Sequence, residues 1–170
     1  MRKVCFFVKD FFEKADILNK KYTIISQDQS KIILHKLYDN FFKKVSFVEV
    51  ESTDMITLSC EDLDFTKILA AHLPSATSRD NPLLDISTPI DKEAYFMFEQ
   101  EYYPNLIKFE NINALSQVVD QSYNFNYLIF DKEASYIVAW DSYETLFGGG
   151  VARDWVEKIK KIGCKLCLLF

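Results

Sequence analysis

Two short motifs in the last quarter of the chain have spacings that chemistry uses. Cys164-Lys165-Leu166-Cys167 has the two-residue gap of redox and zinc sites, and Gly148-Gly149-Gly150 stands just ahead of an amphipathic run. A redox pair draws its low thiol pKa from a helix N-terminus beneath it. Here the pattern predicts a helix capped by Gly163 and an apolar strand over 166–170. Cysteines three apart on a strand point to opposite faces, so core thiols are the expectation. Strand, glycines and helix in that order can cradle phosphate through backbone N–H groups and the helix dipole. A Walker-type lysine is absent, and a flexible turn is the plainer reading of the triplet.

A zinc site would require Cys5, Cys60, His35 and His72 to converge, with no local ligand pair to seed it. A Cys–His nucleophile pair would likewise have to meet in space, and His72 reads as the edge of a helical apolar stripe. No catalytic residue, metal or cofactor is assigned. Acids are plentiful: Glu49 and Glu51 share one face of a candidate strand, and Glu61, Asp62 and Asp64 cluster. Among 25 acidic side chains such pairs arise by chance, and a solvated face is the default.

Acids interleaved with aromatics are more informative. Tyr95, Phe96 and Phe98 precede Glu99, Glu101, Tyr102 and Tyr103, and Trp140, Asp141, Tyr143 and Glu144 form a second group. Tyr and Trp anchor protein interfaces, and neighbouring carboxylates can meet a partner's Lys or Arg. The candidate partner-binding residues are therefore Glu49, Glu51, Glu61, Asp62, Glu99, Glu101, Tyr102, Tyr103, Asp141, Tyr143 and Glu144.

Charge points the same way. The net charge is −5, unevenly spread: residues 1–44 carry ten basic and five acidic side chains, and residues 45–110 carry four and thirteen. Residues 111–170 are close to balance, with six and seven. A strongly negative middle segment repels phosphates, which argues against nucleic acid and suits a basic protein partner.

The elements that must position these groups follow from patterning. With 170 residues, 49% of them apolar, and only four glycines and four prolines, one packed domain over 1–170 is expected. No apolar run is long enough to span a membrane. Lys9 and Asp10 interrupt the apolar start, so a signal peptide is not expected, and a reducing, cytoplasmic setting suits four scattered cysteines.

Val4–Val8 reads as an opening strand, with Asp10 and Glu13 as a capping box before Phe11, Phe12, Ala15 and Leu18. Tyr22–Ile25 is β-rich, and 31–42 fits helix or strand. Residues 45–50 and 55–60 read as a hairpin, Asp64 as the cap of a helix through Leu73, and 74–91 as a long surface loop. A strand over 95–98, a short helix around 112–119, a hairpin of 127–130 with 136–140, and a helix from Ala152 complete the set. The fold class is α+β, a mixed or antiparallel sheet with helices packed mainly on one face.

Two resemblances follow. The triplet Gly148–Gly150 leading into a helix and then a strand resembles the pyrophosphate loop of GNAT-type acetyltransferases, which would imply acyl-CoA binding. The basic or Gln residue that opens their loop is missing, since Asp141 and Glu144 stand upstream. The hairpin Tyr127-Leu128-Ile129-Phe130-Asp131 with Tyr136-Ile137-Val138-Ala139-Trp140-Asp141 resembles that of small bacterial immunity proteins of toxin–immunity pairs, including contact-dependent growth inhibition. That resemblance implies a cytoplasmic, non-enzymatic protein that occludes a toxin, such as a basic nuclease. Acyl-CoA chemistry is the alternative.

Overall fold

The computed structural model describes residues 5–43, 58–72, 93–98, 103, 105–122, 125–141 and 143–167, the last six of these as backbone. Among the described residues, four helices and seven strands alternate irregularly: α1 (Phe6–Ile17), β1 (Tyr22–Ile24), α2 (Gln27–Phe41), β2 (Ile68–His72), β3 (Ala94–Phe98), β4 (Ile107–Phe109), α3 (Ile112–Gln121), β5 (Tyr127–Phe130), β6 (Tyr136–Trp140), β7 (Thr145–Gly150) and α4 (Ala152–Cys167). A 3-10 turn, Cys60–Asp62, precedes β2. The strands form one sheet in the order β1-β4-β3-β5-β6-β7-β2, and every neighbouring pair is antiparallel. The protein is α+β, as its patterning predicts.

The central strands are apolar on both faces because both faces are covered. Phe96, Phe98, Ile129, Tyr136, Val138 and Leu146 pack against α1, α3 and α4. Their sequence neighbours Tyr95, Met97, Leu128, Phe130, Ile137 and Phe147 pack instead with α2. Three helices therefore share one face and one takes the other. On the three-helix side, Phe11 stacks on Phe96 at 4.6 Å and meets Phe98 edge-on at 5.1 Å. Offset and edge-to-face pairs of this kind add about 0.5–1.5 kcal/mol each beyond area burial. Ser26 caps α2 through Gln29 N–H, and Asn111 caps α3 through Ala114 N–H at 2.8 Å.

Four expectations are corrected. The opening apolar run is helix: α1 starts at Phe6, and Val8 continues the stripe of Phe11 and Ala15 into the core. Asp10 is therefore inside the helix, whose N-cap position is Cys5. Asp64 does cap, but it caps a turn, its carboxylate accepting from Thr66 N–H at 3.1 Å and the Thr66 hydroxyl at 2.7 Å. The chain then enters β2, where pairing with β7 overrides the helical spacing of Ile68, Leu69 and His72. Gly148–Gly150 form the end of β7 and are no flexible turn. Helix α4 continues through Gly163 to Cys167, so no strand begins at Leu166 and the strand argument for separating Cys164 from Cys167 does not hold.

The ambiguous 31–42 segment lies in α2 up to Phe41, and β4 carries no mark that patterning picks out. Most of the 45–60 hairpin expectation and all of the 74–91 loop lie outside the described residues; Cys60 itself opens the 3-10 turn.

The glycine triplet has a packing reason at each position. A Cβ on Gly148 would collide with the Val156 side chain and come within 2.8 Å of the Ala152 carbonyl, so α4 sits directly on the strand. A Cβ on Gly149, pointing the other way, would meet Ile68, Ile137 at 2.9 Å and Phe41 of α2 at 3.0 Å. Gly150 has φ of +60° and turns against the Ser135 carbonyl oxygen. Alanine at Gly148 should lower stability by about 1–3 kcal/mol, the usual cost of overpacking. Denaturant melts check this; a wild-type midpoint for Gly148→Ala would contradict the close layer contact.

Helix α2 is also tied to the β5–β6 turn, by Lys36 Nζ to Glu133 at 2.5 Å and by Asn40 Nδ2 to the Ala134 carbonyl at 3.0 Å. The Lys36 hydrogen bond, then its charge, holds Glu133 below its ordinary value near 4.5. A depressed folded-state pKa gives stability that is present above the unfolded value and lost as pH falls through the folded one. Wild type should therefore lose slightly more stability than Glu133→Gln on acidification below about pH 5. Parallel stability–pH curves for the two proteins would contradict the pairing.

Candidate functional site

Two hairpin turns are built by the same device. In Asp131–Ser135, the Asp131 carboxylate accepts from Ser135 N–H at 2.6 Å and from its hydroxyl at 2.5 Å, with Ala134 at φ of 50°. In Asp141–Thr145, the Asp141 carboxylate accepts from Tyr143 N–H at 3.0 Å and Thr145 N–H at 2.9 Å, with Glu144 at φ of 62°. Backbone bonds close both loops: Ala134 N–H donates to the Asp131 carbonyl at 3.0 Å, and Glu144 N–H to the Asp141 carbonyl at 3.1 Å. A short Asp side chain can hold its own backbone this way, which lets a non-glycine residue occupy the left-handed position.

The second turn carries the candidate site. Tyr143, at its tip, is 79% exposed although its backbone is fixed by Asp141. The Cys60 thiol donates to the Trp140 carbonyl at 3.7 Å, which ties the Cys60–Asp62 turn to the end of β6 just before Asp141. Glu61 and Asp62 thus come to the same end of the sheet as Asp141, Tyr143 and Glu144, although some eighty residues separate the two segments. Both Glu61 and Asp62 are exposed. Their turn is itself ordered, since Ser59 Oγ accepts from Glu61 N–H at 3.3 Å and donates to the Asp62 carboxylate at 3.1 Å.

The remaining candidates divide. Tyr103 is half-buried, its ring against Phe12 at 5.5 Å and Phe98 at 6.1 Å, so it packs on the core. Asp141 spends its carboxylate on the turn, and Glu144 is half-buried. Glu49, Glu51, Glu99, Glu101 and Tyr102 lie outside the described residues. His72 was not expected here: it ends β2 beside Thr145, exposed, because the segment is strand rather than helix. His35 is exposed on α2. Among the described residues, no group of three or more His, Cys, Asp or Glu side chains is arranged to hold a metal, and no helix is long and apolar enough to cross a membrane.

Burial pushes the hydroxyls of Tyr127 and Tyr136 well above the ordinary tyrosine value, so both stay protonated, as core residues.

The arrangement defines a three-layer α+β protein that presents one fixed aromatic among carboxylates at a sheet end. No family model matches this chain, and no significant match to it was found among curated proteins or solved structures.

The turn account has a direct check. Asp141→Ala frees two backbone N–H groups and should cost about 1 kcal/mol, whereas Glu144→Gly removes left-handed strain and should stabilise by up to about 1 kcal/mol. Thermal melts of the two variants moving in opposite directions are the expected result; a destabilised Glu144→Gly would contradict it.

Proposed function

We propose that the chain is a partner-binding protein that docks on a basic protein through the Tyr143 turn and the adjoining Glu61 and Asp62 carboxylates. The observation that carries this reading is the exposure of Tyr143 on a backbone already fixed by Asp141. Tyrosine offers a large contact surface for few rotatable bonds, and a turn ordered beforehand loses little entropy on binding.

The carboxylates suit the same partner. Acidic groups at one end of the molecule accelerate encounter with a basic surface and set orientation, in a salt-dependent way. Combined with the resemblance of the β5–β6 hairpin, the reading extends to a bacterial immunity protein that acts in the cytoplasm and occludes a basic toxin, such as a nuclease. The acyl-CoA alternative rests on Gly148–Gly150, and packing against α4, α2 and Ser135 accounts for all three glycines without a ligand.

Capture from host lysate by the tagged chain at low salt, followed by mass spectrometry, should yield a basic protein that elutes on raising the salt. Against that purified protein, Tyr143→Ala should weaken affinity about 30-fold, the effect of losing a contact worth about 2 kcal/mol. Glu61→Lys with Asp62→Lys should lower the association rate and flatten its salt dependence. Wild-type affinity in all of these variants would overturn the assignment. A concentration-dependent rise in melting temperature with acetyl-CoA would favour the enzyme instead.

A further inference from the structure

We draw no further inference here: the strongest candidate, the open cleft of about 300 Å³ between the α1–β1 turn at Asn19–Lys21 and the start of α3 at Asn111–Gln117, is lined by exposed or half-exposed polar side chains around a helix N-terminus that Asn111 already caps, and nothing in the structure points to a ligand for it.

Discussion

Between α4 and α2 the sheet is, at Gly148 and Gly149, only a backbone thick. A methyl group on Gly148 would strike Val156 of α4, and one on Gly149 would strike Ile68 and Ile137 of the flanking strands and come to 3.0 Å from Phe41 of α2. Much of the architecture depends on that close approach. Strand β7 joins the β6 hairpin to edge strand β2, and the helix that follows it lies back over both. The two cores, three helices against one face and a single helix against the other, share this strand, so a change at one glycine is felt in the layer it faces and, through β7, along the sheet.

A sheet held from both sides leaves its turns as the places where side chains can be displayed. The two hairpin turns use one recipe, an aspartate closing its own loop, yet they serve different ends. The Asp131 turn is drawn inward: Asp131 and Ala134 are buried, and α2 is fastened to it through Lys36 and Asn40. The Asp141 turn carries Tyr143 outward. The same local chemistry gives a structural joint at one end of the sheet and a presenting turn at the other.

How much of this could be read from sequence depends on whether local signals and tertiary pairing agree. Tyr127–Phe130 and Tyr136–Trp140 are β-branched and aromatic runs with polar turns between them, and both are strands. Ile112, Leu115, Val118 and Val119 read as a short helix and form one, with a cap at Asn111 that the structure adds. The errors fall where two readings fit locally and a distant partner decides. Phe6–Val8 suits a strand until its alignment with Phe11 and Ala15 is known, and Ile68–His72 suits a helix until β7 pairs with it. The glycines looked like a loop because their requirement comes from Val156, Ile68, Phe41 and Ser135, none of them close neighbours in sequence. At the candidate site, Tyr143 and its flanking acids are visible as a composition, but the placing of Glu61 and Asp62 at the same end of the sheet depends on a thiol contact across the fold that no local pattern encodes.

The strand order has a consequence for how the molecule is made. Strand β2 is synthesised well before the neighbour it pairs with, β7. At about 5–20 residues per second, a ribosome needs roughly 4–15 s to travel from one to the other. During that interval Ile68–His72, a stretch without a charged residue other than its terminal histidine, leaves the exit tunnel as an unpaired apolar strand. Nascent chains of this protein are thus exposed to mispairing and chaperone capture at β2 until β7 has followed it.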